Sequence, residues 1–250
     1  MALHVHTDDH DHINSDPGPM YQMEWVQKLI RQIQHCLQTN SAWLGIDQSK
    51  RQRVLDYACG NGTVSSALLA VFPEAVFQGM DIATSQVQRF NNEATKLLGE
   101  SHGRMFAIQG DLNYPQPVLS EPEWSEFDAA IISMALHHVK DPVGFLARLR
   151  QRVKQDGALV VVDWLQQSST TDGSHAAERR GGDHKYDAAD MAKLSQGPKI
   201  WPGFSIHDIH ADMTAAGCTD VDVREYPEPI DAPEQMLGYD RIFIAKATVL

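Results

Sequence analysis

The sequence predicts a doubly wound α/β domain with a mostly parallel sheet of seven strands, an N-terminal helix and one long insertion. Three observations predict it. Short apolar runs alternate with segments of helical periodicity between residues 53 and 164, the pattern of right-handed βαβ crossovers. The run 158–164 is apolar almost throughout, as a strand buried on both faces must be. Residues 53–58 read as a strand that feeds a turn, Cys59-Gly60-Asn61-Gly62, and then an apolar helix. In open α/β sheets such a turn brings a ligand to the carboxyl edge of the strands.

The elements follow in order. Residues 1–19 are polar, with His4, His6, His10 and His12 among Asp8, Asp9 and Asp11, and they read as a mobile tail ending at Pro17-Gly18-Pro19. Between 23 and 37 the residues Trp25, Val26, Leu29, Ile30, Ile33 and Leu37 recur at helical spacing, so this helix lays an apolar face on the domain. Strands are expected at 53–58, 75–80, 105–109, 128–133 and 158–164, with helices at 64–71, 85–98 and 145–153 between them. A polar stretch, 165–202, carries Gly173, Gly181 and Gly182 and is far longer than an ordinary connection; a mobile cover over a pocket, or a solvated excursion with a short helix, would look like this. A helix at 207–216 stops at Gly217, and strands at 221–226 and 242–247 close the chain. Residues 20–250 thus make one domain, which suits a chain of 250 residues with 42% apolar content.

Composition removes several function classes. A net charge of −12 without a visible cluster of Lys and Arg argues against a nucleic-acid partner, whose phosphates need concentrated positive charge. A small or uncharged substrate is favoured. No apolar run reaches the length of a bilayer span, so no membrane partner is expected. The first residues lack the basic and apolar regions of a signal peptide. Cys36, Cys59 and Cys218 are odd in number and lack metal-ligand spacing, which suits a reduced, cytoplasmic setting.

The sharpest segment is Asp56-Tyr57-Ala58-Cys59-Gly60-Asn61-Gly62, followed by Asp81 at the end of the next strand. Glycines let the backbone approach a ligand, the following helix aims its N-terminus at the same place, and a carboxylate at Asp81 can accept both hydroxyls of a ribose. The structural alternative is a tight βα turn beside a solvated Asp.

These residues resemble the class I methyltransferases that use S-adenosylmethionine (SAM). Their first motif is an acid followed by Gly-x-Gly-x-Gly; here Asp56, Gly60 and Gly62 match and Ala58 replaces the first glycine. The resemblance continues through Gly110-Asp111-Leu112, through Ser133-Met134-Ala135-Leu136-His137-His138-Val139, and through the turn at 153–159 with its Asp156. It implies a Rossmann-like methyltransferase fold and a SAM site. In that site Asp56, Ala58, Gly60, Asn61 and Gly62 hold the methionine end, Asp81 the ribose, and Ile82, Asp111 and Leu112 the adenine. Ser133, at the border of the active-site loop, is expected to touch the cofactor as well.

Methyl transfer from a sulfonium depends on alignment, and a base helps when the acceptor is a hydroxyl. The acceptor atom, O, N or S, is not readable. His137 and His138, after the fourth strand, are the candidate bases; both can instead only shape the loop. Tyr21 and Trp25 open the first helix and would cover the cofactor, with helix packing as the alternative. Trp164, Tyr186 and Trp201 are candidate substrate contacts, or else core and loop anchors. No metal site is expected, since the histidine tail offers only opportunistic ligands. Two rival functions fit part of the pattern. Gly60-Asn61-Gly62-Thr63-Val64-Ser65 is one residue from a dinucleotide fingerprint, although no Tyr-x-x-x-Lys pair accompanies it. A SAM-binding protein without transferase activity would carry the same cofactor motifs.

Overall fold

Strands β1 (Arg53–Tyr57), β2 (Val76–Asp81) and β4 (Phe127–Ser133) bury nearly every side chain, which is why each reads as a short apolar run. The computed structural model describes residues 18–100, 103–114, 116–166, 203–230 and 240–250. Its remaining strands are β3 (Met105–Gln109), β5 (Val153–Trp164), β6 (Cys218–Glu225) and β7 (Ile242–Val249). The helices are α1 (Glu24–Thr39), α2 (Thr63–Leu69), α3 (Thr84–Leu98), α4 (Pro142–Arg150) and α5 (Ile206–Ala215). The sheet has the order β3-β2-β1-β4-β5-β7-β6.

The first five strands are mutually parallel. From β1 the chain steps outward through α2 and α3 to β2 and β3, then returns to the other side of β1 for β4 and β5. That reversal is a topological switch point, and a crevice opens there at the carboxyl ends of the strands. Two apolar clusters sandwich the sheet. Residues of α1, α2 and α3 fill one face, including Leu29, Leu68 and Phe90, and those of α4 and α5 fill the other, including Phe145, Leu149 and Ile209. Strand β7 runs antiparallel between β5 and β6.

Local chemistry explains the element ends. The Asp141 side chain accepts from Gly144 N and Pro142 occupies the first turn, so α4 starts earlier than the apolar periodicity suggested. Ser205 and Asp208 form a capping box on α5. Strand β5 begins at Val153 rather than at 158. Its pairing with β4 jumps from Phe127↔Val153 to Ala129↔Ala158, and Asp156 has φ of 63° within the jump. The expected opening turn is therefore a bulge inside the strand.

Among the described residues no helix is long and apolar enough to cross a membrane. The histidine tail up to residue 17 and the insertion from 167 to 202, with Tyr186, Trp201 and the expected cover, lie outside the described residues.

Candidate functional site

The loop from β1 to α2 is held in left-handed conformations, with φ of 53° at Ala58, 51° at Gly60 and 83° at Gly62. Ala58 stands where the family pattern has glycine, and this conformation costs an L-residue with a Cβ about 1–2 kcal/mol. The backbone closes on itself: Cys59 N donates to Met80 O at 3.1 Å, and Gly62 N to Cys59 O at 2.9 Å. The two glycines serve different purposes. A Cβ on Gly62 would meet Met105 Cε at 2.9 Å, inside the core, so this position faces inward rather than toward a ligand. A Cβ on Gly60 would meet the Tyr21 hydroxyl at 3.1 Å, on the open side of the loop. Asn61 Oδ1 accepts from Thr63 Oγ1 at 2.7 Å at the start of α2.

Asp56 lies beneath this loop, only 1% exposed. Its Oδ2 accepts from Ser65 Oγ at 2.7 Å and from Ser65 N at 3.2 Å, which pins α2 to β1. Burial pushes its carboxyl up to about 7. Asp56 was expected among the cofactor contacts; the structure makes it a support for the loop instead, because its side chain points at Ser65. Gly79, which the sequence did not flag, belongs to the same support. A Cβ there would stand 2.8 Å from Cys59 Sγ and 2.8 Å from Ala107 Cβ.

Asp81 ends β2 with its carboxylate against the loop. Its Oδ2 accepts from Gly60 N at 3.0 Å and its Oδ1 from Ala83 N at 2.9 Å. Burial raises its ionisation above the ordinary carboxylate range, with the backbone N–H groups opposing. Each oxygen retains a second lone pair for a hydroxyl of a ligand. Beside it Ile82 is 42% exposed, an apolar surface at the open edge. Asp111 follows β3. Its Oδ1 accepts from Asn113 N at 2.8 Å, from Asn113 Nδ2 at 2.9 Å and from Tyr57 Oη at 3.3 Å, and its Oδ2 has no partner among the described residues. Leu112 is buried, with its N–H donating to Tyr57 Oη at 3.3 Å. Tyr57, missed in the sequence, thus ties the end of β1 to the loop after β3.

The residues before α1 complete this end of the crevice. Gln86 Nε2 on α3 donates to Tyr21 Oη at 2.8 Å, above Gly60. Gln86 Oε1 is buried and has no hydrogen-bond partner among the described residues. Trp25, expected beside Tyr21 over the cofactor, packs against the apolar cluster of α1 and α2. That departure follows from helical geometry, since Trp25 starts the apolar stripe itself.

At the other end of the crevice Ser133 closes β4, half-buried, and Met134 takes a left-handed φ of 54°. A short 3₁₀ turn, Leu136–His138, carries both histidines. His137 is 3% exposed and His138 is exposed, and their rings lie 4.1 Å apart between centroids. His137 Nδ1 lies 2.6 Å from Oδ1 of Asp163, a residue absent from the expected set. The Asp163 carboxylate also accepts His137 N at 3.1 Å and Trp164 N at 2.8 Å. Trp164, expected to face substrate, is 3% exposed and joins Val160 and Val162 in the core cluster. Alternation along β5 puts Asp163 on one face of the sheet and Trp164 on the other.

Among the described residues no group of three or more His, Cys, Asp or Glu is placed to hold a metal ion. A surface cavity of about 630 Å³ borders this site at Leu112 and Asn113, and one of about 890 Å³ lies beside Leu165 and Ser205; neither is lined by Gly60, Asp81 or His137.

Residues 24–223 match a family model described as a methyltransferase domain. An uncharacterized methyltransferase of Schizosaccharomyces pombe is 31% identical over 121 residues, 48% of this chain and 42% of the relative, so less than half of that relative's length is matched. Among solved structures, magnesium protoporphyrin IX methyltransferase of Synechocystis PCC 6803, determined with bound SAM, superposes with a TM-score of 0.61 at 18% identity over 96% of this chain and 95% of that one. A SAM-dependent methyltransferase of Aquifex aeolicus gives a TM-score of 0.56 at 14% identity over 95% and 100% of the two chains. At such identities the two structures establish the fold alone. The family match covers most of the described domain, and the chain therefore belongs to the methyltransferase domain family.

Proposed function

We propose that this chain transfers a methyl group from SAM to an O, N or S atom of a small molecule, with the cofactor lying across β1, β2 and β3 at the switch point. The single observation that carries this is the cradle formed by Gly60, Asp81 and Tyr21. A Cβ on Gly60 would fill it, and a carboxylate and the buried Gln86 Oε1 border it. These residues fit the group. Asp81 offers lone pairs to the ribose hydroxyls, Ile82 and Leu112 an apolar surface for adenine, and Asp111 Oδ2 an acceptor for its amino group. Gln86 Oε1 suits the ammonium of the methionine end, and Gly60 leaves room for it. When bound, SAM supplies a methyl carbon already activated by its sulfonium. The chain's own contribution is alignment in a site held rigid from below by Asp56, Ser65 and Gly79. His137 is the candidate base, and His138 lies beside it on the solvent side.

A small-molecule acceptor suits the net charge of −12 better than a nucleic acid does. The three cysteines are all buried and unbridged, in keeping with a cytoplasmic protein. Calorimetry with S-adenosylhomocysteine tests the cofactor assignment. Asp81→Ala, shown folded by circular dichroism, should weaken binding by about 1–3 kcal/mol, roughly 5- to 150-fold in Kd. An unchanged affinity would remove Asp81 from the site. Retention of NAD in place of the sulfur nucleoside in equilibrium dialysis would return the nicotinamide reading.

A further inference from the structure

We infer that the cavity of about 630 Å³ between the loop after β3 and the end of α4 is a second binding site, for a small organic anion, coupled to the cofactor site through Arg148, Asn113 and Asp111. The coupling, though not the site, rests on the proposed cofactor reading.

Two guanidiniums, Arg148 in the last turn of α4 and Arg152 just beyond it, line this cavity in a chain of net charge −12. Among the described residues no carboxylate pairs with either of them. Arg152 is clamped at one end, where its Nη1 donates to Leu119 O at 2.5 Å and to Trp124 O at 3.2 Å. Arg148 Nη2 donates to Asn113 Oδ1 at 2.8 Å, and its Nε is buried with no hydrogen-bond partner among the described residues. Burial lowers the pKa of Arg152, as expected of a cation that has lost water. A buried donor and a partly desolvated cation both cost free energy that an anion offsets. The dipole of α4 favours a basic residue at its end, which accounts for Arg148 but not for two guanidiniums on one cavity.

The rest of the lining says what the anion carries. Leu112 and Leu119, both buried, give apolar walls, and Tyr114, 54% exposed, adds an aromatic ring. The volume falls in the range of small-molecule sites and exceeds what a bare phosphate needs. A guanidinium fork matches the paired oxygens of a carboxylate or a phosphate. The ligand is therefore one of those headgroups joined to an apolar or aromatic body.

Asn113 links this cavity to the cofactor site. Its Oδ1 accepts from Arg148, while its N and Nδ2 donate to Asp111 Oδ1 at 2.8 and 2.9 Å. Asp111 is the proposed acceptor for the adenine amino group. An anion that draws Arg148 away from Asn113 loosens the residue that holds Asp111. By linkage, anion and cofactor then weaken each other to the same degree.

Calorimetric titration of the whole chain near neutral pH, with phenyl phosphate and benzoate set against inorganic phosphate and benzyl alcohol, tests the site. At least one ring-bearing anion should bind, inorganic phosphate more weakly, and benzyl alcohol not at all. Arg148→Gln, shown folded by circular dichroism, should weaken that binding by about tenfold or more, while Lys96→Gln on the exposed face of α3 leaves it unchanged. Benzyl alcohol binding as well as the anions overturns the site in the wild type alone, whether or not the variant folds. A full affinity in Arg148→Gln, or an equal loss in Lys96→Gln, overturns it too. Titrations of S-adenosylhomocysteine at rising concentrations of the anion test the coupling. Its apparent Kd should rise about fivefold and then level off. A rise without a plateau places the anion in the cofactor site and overturns the second site, and a flat response removes the coupling. Absent binding of S-adenosylhomocysteine in the wild type defeats the methyltransferase site and leaves the anion titration as a separate result.

Discussion

The two ends of the crevice use buried carboxylates in opposite ways. Beneath and beside the β1 loop, Asp56 and Asp81 accept from the backbone or from a serine, and among the described residues no histidine, lysine or arginine donates to either. At the end of β5, Asp163 accepts the ring of a histidine. The first arrangement gives a shape that is complete before any ligand arrives, which limits the ordering that binding demands. The second sets an acid against an imidazole, a ring whose two nitrogens can donate on one side and accept on the other. One end is built to hold and the other to exchange.

Replacement of His137 by Gln gives the largest expected effect on that contrast. Turnover of a hydroxylated acceptor should fall about 100- to 10,000-fold, while affinity for S-adenosylhomocysteine stays within about twofold. His138→Gln should keep most of the turnover. A reversal of the two, measured side by side, would exchange their roles and dissolve the distinction between the ends.

The next effect is on stability and lies at the holding end. The Asp56 carboxyl is raised from 3.8 to about 7 by burial, so the folded state keeps its proton where the unfolded chain has lost it. That contribution to stability is fully present below about pH 4 and is lost as pH rises through about 7. Asp56→Asn retains an acceptor for Ser65 and does not titrate. Relative to the variant, the wild type should therefore lose stability between about pH 5 and pH 8, by about tenfold or more in the folding equilibrium. Urea midpoints with a constant difference across that range would mean that Asp56 does not titrate there.

The smallest effect sharpens the same end. Ala58 holds a left-handed φ of 53° that glycine adopts freely. Ala58→Gly should raise stability by about 1 kcal/mol, less the entropy that glycine adds to the unfolded chain, and leave cofactor affinity nearly unchanged. A loss of stability in a melting experiment would show that the methyl group contributes packing that outweighs the strain.

Much of the holding end was legible in the sequence. Fully buried parallel strands announce themselves as apolar runs, and Gly60, Asp81 and Asp111 sit at strand ends that such runs locate. The supports were less legible. Gly79 is required by the sulfur of Cys59 and the methyl of Ala107, which only the pairing of β2 with β3 and the β1 loop brings together. Asp56 carries the right residue type at the right place, yet its contact with Ser65 depends on how α2 leaves the loop. At the exchanging end, the sequence singled out His137 and Trp164 and passed over Asp163. The link between His137 and Asp163 crosses 26 residues and exists because Ser133 pairs with Val162. A signal was present: a charged residue in the last turn of an otherwise apolar, doubly buried strand must have a partner.

Strand β7 has a practical bearing on experiments with this protein. Because it runs against β5, Ile242 stands beside Trp164 while Thr248 returns to the level of Ala158, at the amino edge of the parallel strands. Arg150 Nη1 donates to Leu250 O at 3.2 Å there, and the Leu250 side chain is 66% exposed. A fluorophore, affinity handle or surface tether joined at Leu250 therefore hangs from the edge turned away from Asp81 and His137, where it leaves the route into the crevice clear.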